Sequence, residues 1–585
     1  MKALRQRNRV AVWFETTRRP GIPLILLVIA LYAPSLGDGF ILDDHRAMRV
    51  LREYHAGERP SPDVYRFLSG DPERNRAERD AGWYPWWMDD DLKYQHMRPL
   101  AEWVLYGQYL VFGDRPMGYR VVGLALYAAG VLLVLRLLRI VGGDERLARW
   151  GALIFAAAAS HAVPVLFISA QGDVIALVCA AGVVIAVDRF VGTGSAAGIV
   201  LFAVSLVIGL GMKEAMLPLA AAPLLVWRIR RGESAAGRRA FAALAVSAVT
   251  AVAWLLYYSK GDYGSNTSVM LDPVRAFGDY LAAAPLRALL LLSSWVIPVN
   301  PFLFELTPGV MAYRWVYAVI GGAAIGGIAI LFLVRHRQQR GVGWMALWAI
   351  AFLPILVCTP PDDRVMVLPS IGLAFLGAAW MTRPRRDGSQ RLRLIPLFLF
   401  VAIQVTTVWT TGWLLSYLES QSQLHLKMMA DAFGRPMREG DHIFVINNRY
   451  AFEGLFIQDR FLSMPGAAGR ATILSDSGDT DVMMVDDRTL LLSARAGDPM
   501  LSGFLGRMGT TRGHAREVGE AMGGSGFEAR VIEASDGLRS VKLRFSEPVE
   551  SEHFHFFEIQ SDGTPRVWTA VPHSGHLLET RPNSM

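Results

Sequence analysis

Two adjacent carboxylates, Asp43 and Asp44, follow an apolar run in the segment GFILDDH. Neighbouring carboxylates repel each other, which raises the pKa of one of them and suits it to accept a proton during catalysis. The alternative is a solvated pair at a helix end, and an acidic pair alone favours that interpretation. The pair is a candidate for general base chemistry if other polar groups join it.

A second pair, Lys213 and Glu214, stands between apolar stretches that carry no charge from residue 190 to 212 or from 215 to 227. Charges beside membrane spans are costly and are functional candidates. Lys213 would contact an anionic ligand, or it would form an ion pair with Glu214 that caps the turn. Both interpretations stay open.

The segment HAVPVLFISAQGDV (161–174) places His161 and Asp173 around a helix end that is broken by proline. A histidine here is more often hydrogen-bonded in the packing than a ligand. Asp173 suits an N-terminal helix cap equally well.

The segment PPDDRVMVLPS (360–370) contributes Arg364, whose guanidinium matches the geometry of a phosphate. The alternative is a salt bridge to Asp362 or Asp363. Further upstream, the aromatic segment at 83–103 predicts anchoring at the membrane interface, or stacking on a sugar, and Arg98 opens its final helix.

The composition indicates the class of structure that positions these residues. The chain has 585 residues, of which 52% are hydrophobic and 19% charged, and its mean hydropathy is +0.29. Soluble domains are about 25% charged, so a purely soluble enzyme is disfavoured. Cys179 and Cys358 lie in apolar runs and indicate neither a disulfide framework nor a zinc site.

Eleven apolar runs predict membrane crossings. They lie at about 21–37, 117–139, 149–167, 173–190, 191–212, 215–230, 239–258, 314–334, 343–358, 366–382 and 394–416.

Basic residues orient these spans, because loops rich in Arg and Lys stay in the cytoplasm. The first twenty residues and the clusters at 136–149, 228–239, 335–340 and 383–393 share the cytoplasmic side if 280–299 does not cross. We therefore interpret 280–299 as a re-entrant or surface-lying helix. The net charge of +7 belongs to these loops and does not indicate a nucleic-acid partner.

This topology predicts a cytoplasmic N-terminus at 1–20, a transmembrane domain at 21–418 and a large first extracytoplasmic loop at 38–116. Alternating segments such as HIFVINN, TDVMMVDD and SVKLRF predict strands after residue 420. Residues 420–585 are therefore predicted to form an extracytoplasmic domain that is α+β or mainly β. The polar segments all fall on the extracytoplasmic side, which predicts a site at that membrane face.

In order and spacing, GFILDDH, MRPL, HAVPVLFISAQGD, GMKEAMLPL and DDRVMVLPSIG resemble motifs of the protein O-mannosyltransferase-like family with the GT-C fold, in particular its transmembrane and TPR-containing members. The resemblance covers roughly residues 20–385. The chain departs from the family in having Ala162 after His161, Gln171 or Gly172 in place of an arginine, Asp363 in place of a glutamate, and no tetratricopeptide repeats.

The resemblance implies a GT-C membrane glycosyltransferase that takes a sugar from a polyprenyl-phosphate donor. It makes Asp43 the general base, with Asp44 in support. A donor phosphate at the interface would be met by Arg364, Lys213 or Arg98. The supporting residues are Glu214, Asp173, His161 and Asp363.

Metal dependence stays open, because O-mannosyltransferase relatives work without a metal whereas the oligosaccharyltransferase branch uses one. If a divalent metal such as Mg or Mn is required, Asp43, Asp44 and Asp173 are the candidate ligands.

We therefore expect transfer of a sugar to an acceptor hydroxyl on a protein or glycan, in a bacterial inner membrane. The alternatives are a transporter or flippase for lipid-linked saccharides, and a catalytically silent scaffold.

Overall fold

The computed structural model describes residues 9–306, 308–335, 342–381, 391–448, 454, 456–495, 499–535 and 537–569. Parts of three predicted cytoplasmic segments lie outside this range: residues 1–8, 336–340 and 383–390. The chain divides into two compact units. The first comprises Met1–Phe67, Tyr94–Ser265 and Met270–Tyr417, and the second comprises Leu68–Lys93, Asn266–Val269 and Leu418–Met585.

The described helices are α1 (Arg9–Thr16), α2 (Gly21–Tyr32), α3 (Asp43–His55), α4 (Pro72–Asp80), α5 (Pro99–Phe112), α6 (Pro116–Gly142), α7 (Glu145–Ala157), α8 (Ala162–Leu166), α9 (Gln171–Thr193), α10 (Ala196–Met212), α11 (Ala222–Ile229), α12 (Ala236–Lys260), α13 (Phe277–Val296), α14 (Leu303–Leu306), α15 (Arg314–Arg335), α16 (Val342–Ala351), α17 (Leu353–Leu356), α18 (Pro369–Met381), α19 (Arg391–Asp431), α20 (Ile457–Leu462) and α21 (Phe504–Met508).

The described strands are β1 (Arg66–Ser69), β2 (Lys93–Gln95), β3 (Gly264–Ser265), β4 (His442–Val445), β5 (Arg470–Ile473), β6 (Thr480–Asp486), β7 (Thr489–Ala494), β8 (Ala521–Gly524), β9 (Phe527–Ala534), β10 (Leu538–Phe545), β11 (Phe554–Ile559) and β12 (Pro565–Val567).

Sequence signals set the ends of the long apolar helices. Helix α6 begins at Pro116, whose fixed φ suits the first turn, and it ends before Gly143, which has a φ of 62°. Helix α9 ends in the same way before Gly194, at a φ of 74°. After α7 the chain bends by 56°. The bend falls at Ala158, whose ψ of 124° is extended and interrupts the helix.

Within the described residues, four helical segments are long and apolar enough to cross a membrane, and a fifth is added if the bent α7–α8 pair forms one span. The four are Pro116–Gly142, Ile168–Thr193, Ala236–Lys260 and Pro396–Asp431. Shorter apolar helices lie at Gly21–Gly37, Ala196–Met212, Val342–Leu356 and Pro369–Trp380. The polytopic helical class is confirmed, and the number of eleven crossings stays a prediction.

The segment interpreted as re-entrant, 280–299, forms most of α13 and contains Pro285 within the helix. On one side Leu290 joins a buried apolar cluster with Phe304, Tyr317 and Ala318. Its position relative to a membrane stays a prediction.

The second unit is rich in strands, as predicted. One antiparallel sheet has the order β6-β7-β10-β9-β8. The other has the order β12-β11-β4-β5, in which β11, β4 and β5 are parallel and β12 is antiparallel. Phe444 of β4 lies 5.1 Å from Phe545 of β10, measured between ring centroids, so aromatic rings join the two sheets.

Trp86 and Trp87 belong to the core of this second unit. They are 1% and 0% exposed, and the Trp86 indole donates to the carbonyl oxygen of Leu474 at 3.1 Å. For these two residues, the interpretation of the aromatic segment as an interfacial anchor or a sugar-stacking surface is wrong. An indole satisfied inside an apolar core has no surface left for either role.

Candidate active site

Asp43 is the first residue of α3 and follows a strained backbone position. Leu42 has a φ of 49°, which is unfavourable for a residue with a Cβ atom and marks a constrained bend. The Asp43 side chain is half-buried, and its carboxylate makes no hydrogen bond or ion pair with any residue that the structure describes. A carboxylate without a partner is available to a ligand.

Asp44 has a different environment. It is fully buried, and its carboxylate accepts hydrogen bonds from the backbone N–H groups of Ile41 (3.2 Å), Ile168 (3.4 Å) and Ser169 (2.8 Å). These bonds tie the segment before α3 to the segment before α9. Asp44 thereby fixes the backbone that carries Asp43.

Arg364 lies in the turn before α18. Its Nε atom is 2.8 Å from Oδ2 of Asp362, and its backbone N–H donates to Oδ1 of Asp362 at 3.1 Å. The Arg364 side chain is nevertheless 38% exposed. Asp363 is buried, and its backbone N–H donates to Asn300 Oδ1 at 3.3 Å.

Lys213 and Glu214 follow α10, and they do not pair with each other. The Lys213 ammonium forms a buried ion pair with Asp173 of α9. Glu214 accepts from Arg98 Nε at 3.2 Å and contacts His96 Nδ1 at 3.5 Å. Two of the predicted phosphate-binding cations are thus each neutralised by a carboxylate that is distant in the sequence.

His161 lies apart from this group, in the interior. Its Nδ1 atom is 2.7 Å from the Tyr127 hydroxyl and its Nε2 atom is 2.8 Å from the Ser370 hydroxyl. Both ring nitrogens therefore have partners, as expected for a histidine in packing.

Several of the predicted residues share one electrostatic environment. Burial raises the pKa of Asp43, and Arg364 opposes this rise more strongly than any other charge. Lys213 interacts electrostatically with both Arg98 and Arg364. The residues brought together in this way are Asp43, Arg98, Lys213, Glu214, Asp362 and Arg364.

Tyr94 and His96 were not among the site residues predicted from the sequence. The Tyr94 hydroxyl lies 3.1 Å from His96 Nε2, and the charge of Arg364 acts on both side chains. The spacing Tyr94, His96, Arg98 was an available signal, because alternate residues of an extended segment point to the same side.

The three aspartates considered as metal ligands have unequal access. The Asp44 carboxylate is used by backbone N–H groups, and Asp173 is paired with Lys213. Asp43 alone among them has an uncommitted carboxylate. Binding of a divalent metal at these aspartates therefore stays a prediction.

In the second unit, Asp89, His514 and Glu520 form the one group of described residues with metal-ligand spacing. Arg516 already contacts both of these carboxylates, at 2.7 Å for Asp89 and 2.6 Å for Glu520. This arrangement is an ion-pair network.

No family model and no curated protein matches the chain. In its structure the chain is similar to GT-C fold glycosyltransferases. One is ArnT from Cupriavidus metallidurans bound to undecaprenyl phosphate, with a TM-score of 0.41 and 13% identity, covering 78% of this chain and 90% of that one. Another is the oligosaccharyltransferase of Archaeoglobus fulgidus tethered with an acceptor peptide, with a TM-score of 0.36 and 11% identity. That match covers 79% of this chain and 64% of the archaeal protein.

Proposed function

We propose that the chain transfers a sugar from a polyprenyl-phosphate donor to an acceptor hydroxyl, with Asp43 as the general base. Arg364 binds the donor phosphate, whereas Arg98 and Lys213 are held in ion pairs with Glu214 and Asp173. We place this site on the extracytoplasmic face of a bacterial inner membrane, and we assign acceptor binding to the second unit.

The observation that carries this proposal is the contrast between two adjacent carboxylates. Asp44 is bound by three backbone N–H groups, whereas Asp43 makes no hydrogen bond or ion pair in the described part of the chain and interacts electrostatically with the partly exposed Arg364. A general base must be able to reach the acceptor hydroxyl. The leaving phosphate needs a nearby cation that stabilises its developing charge. Asp43 and Arg364 meet these two requirements.

The reaction that follows is a displacement at the anomeric carbon. Asp43 takes the proton of the acceptor hydroxyl as the acceptor oxygen bonds to that carbon. The bond from the carbon to the phosphate oxygen breaks, and its electron pair stays on the phosphate. Arg364 stabilises the charge that develops there.

The test is a transfer assay with purified full-length chain and undecaprenyl-phosphate mannose or glucose, radiolabelled in the sugar. Bacterial membrane extract supplies acceptors, and water supplies a hydrolytic acceptor. Asp43→Asn should lower kcat by at least about a hundredfold, the usual contribution of a general base. Asp114→Asn is the matched control, because its side chain is 63% exposed.

Equal rates for wild type and Asp43→Asn would remove Asp43 from the mechanism. The two alternative functions predict different results in this assay. Movement of the labelled lipid across vesicles without any transfer would indicate a transporter, and neither movement nor transfer would favour a scaffold.

A further inference from the structure

We propose that the Tyr94 hydroxyl oxygen accepts a hydrogen bond from a hydroxyl group of the lipid-linked sugar. His96 and Glu214 are positioning residues that set the direction of this bond. The inference rests on the proposed function, because it places the sugar of the same donor beside Arg364.

A chain of polar contacts leads to Tyr94. Arg98 Nε donates to Glu214 Oε2 at 3.2 Å, and Glu214 Oε1 lies 3.5 Å from His96 Nδ1. His96 Nε2 is 3.1 Å from the Tyr94 hydroxyl oxygen. These four side chains connect the start of α5, the end of α10 and strand β2.

The chemistry of the groups fixes the direction of the chain. Burial raises the pKa of Glu214, but the charge of Arg98 and the hydrogen bond from His96 outweigh burial and hold it below its ordinary value, so Glu214 is a carboxylate that only accepts. We therefore assign the hydrogen to His96 Nδ1, the ring nitrogen that lies 3.5 Å from this carboxylate. Burial, followed by the charge of Arg98, lowers the pKa of His96, so the ring is neutral and Nε2 accepts the Tyr94 proton.

Tyr94 is held rigidly in this arrangement. Its backbone pairs with Ser265 of β3, and its ring stacks on Phe67 with centroids 5.0 Å apart. The backbone N–H of His96 donates to the Tyr65 carbonyl oxygen at 3.0 Å. The backbone contacts fix the positions of the two residues, and the stacking on Phe67 restricts rotation of the Tyr94 ring.

Since its own proton points to His96, the Tyr94 oxygen offers only lone pairs to a ligand. A phosphate oxygen brings no hydrogen, whereas a sugar hydroxyl does. Among the charges that act on Tyr94, Arg364 is the strongest, and Asp43 also contributes. We therefore place the phosphate at Arg364 and a hydroxyl of the attached sugar at Tyr94.

The experiment compares binding of two lipids by the full-length chain: undecaprenyl phosphate, which has no sugar, and undecaprenyl-phosphate mannose. Tyr94→Phe should weaken binding of the sugar-bearing lipid by about three- to tenfold, the effect of one neutral hydrogen bond. Binding of undecaprenyl phosphate should not change. Tyr106→Phe is the matched control, since the Tyr106 hydroxyl contacts another histidine, His55 Nδ1, at 3.3 Å.

Variants of His96 show whether this residue orients the Tyr94 hydroxyl or only packs against it. His96→Ala should weaken binding of the sugar-bearing lipid as Tyr94→Phe does. His96→Gln should restore it, because the glutamine oxygen can accept the Tyr94 proton near the position of Nε2. A purely structural role would weaken binding of both lipids.

The inference is overturned if Tyr94→Phe binds both lipids like wild type, or if wild type gains no affinity from the sugar. Its failure is distinct from failure of the proposed function. Binding through Tyr94 without any sugar transfer would sink only the glycosyltransferase proposal, whereas transfer that is indifferent to Tyr94 would sink only this inference.

Discussion

The Lys213 ammonium forms an ion pair with the Asp173 carboxylate, and both side chains are more than nine-tenths buried. The pair joins the end of α10 to the first turn of α9. An anionic ligand can therefore contact Lys213 directly only by competing with Asp173. The primary role of Lys213 is to pair with Asp173 and hold two helices together.

We predict that breaking this pair on one side destabilises the protein. Lys213→Met leaves a buried carboxylate and Asp173→Asn leaves a buried ammonium, and each should cost about 3–5 kcal/mol. The double variant should recover much of this loss, because it leaves no unpaired charge. The measurement is the apparent Tm of the full chain in detergent.

Arg495→Met breaks an exposed ion pair with Asp481 and serves as the control, with no expected change in Tm. A double variant as unstable as the sum of the two single variants would show that the pair is not coupled.

Substitution of Arg364 should weaken the use of the donor lipid and have little effect on folding. Arg364→Met removes a charge-assisted contact with the phosphate, so kcat/KM for undecaprenyl-phosphate mannose should fall about tenfold or more. Arg364→Lys should recover part of the loss, because it keeps the charge but not the planar fork. The control is Arg275→Met, whose side chain is 53% exposed. An unchanged KM for the donor in Arg364→Met would contradict phosphate binding at this position.

Asp476 in the second unit should make stability depend on pH. Burial raises the pKa of Asp476 to about 6, against the opposing hydrogen bonds from the Gly506 backbone N–H (2.8 Å) and the Asn448 side chain (3.3 Å). The folded chain then binds more protons than the unfolded chain between about pH 4 and pH 6. This contribution to stability is full below pH 4 and is lost as the pH rises through 6.

Asp476→Asn should remove that loss, so the Tm of the variant should fall less than that of wild type between pH 4 and pH 6.5. Asp562→Asn, at an exposed turn residue, is the control. Parallel Tm curves for wild type and Asp476→Asn would show that Asp476 does not titrate differently on folding.

The sequence was sufficient for the helical membrane class and the strands of the C-terminal part, because hydrophobic periodicity is a local property. HIFVINN, TDVMMVDD and SVKLRF lie in or overlap β4, β6 and β10. Trp86 and Trp87 were misinterpreted because their burial depends on contacts with residues 388 and 418 positions away. No local pattern contains that information.

The candidate site was also only partly predictable from the sequence. The residue types at Asp43, Lys213 and Arg364 indicated acid, base and phosphate chemistry, but not which charge pairs with which. Lys213 pairs with a residue 40 positions away and Glu214 with one 116 positions away. Sequence neighbours such as Lys213 and Glu214 are poor predictors of ion pairs, because a turn can direct their side chains to opposite partners.

The constrained bend at Leu42 and the three hydrogen bonds of Asp44 restrain the Cα atom of Asp43 from both sides, while its carboxylate makes no hydrogen bond or ion pair with the described residues. The backbone of Asp43 is therefore fixed, whereas its carboxylate is not held by a hydrogen bond or ion pair with the described residues. Rotation about its two side-chain torsions breaks no hydrogen bond with the described residues. In the proposed mechanism, this freedom lets the carboxylate meet the acceptor hydroxyl without any movement of the backbone that carries it.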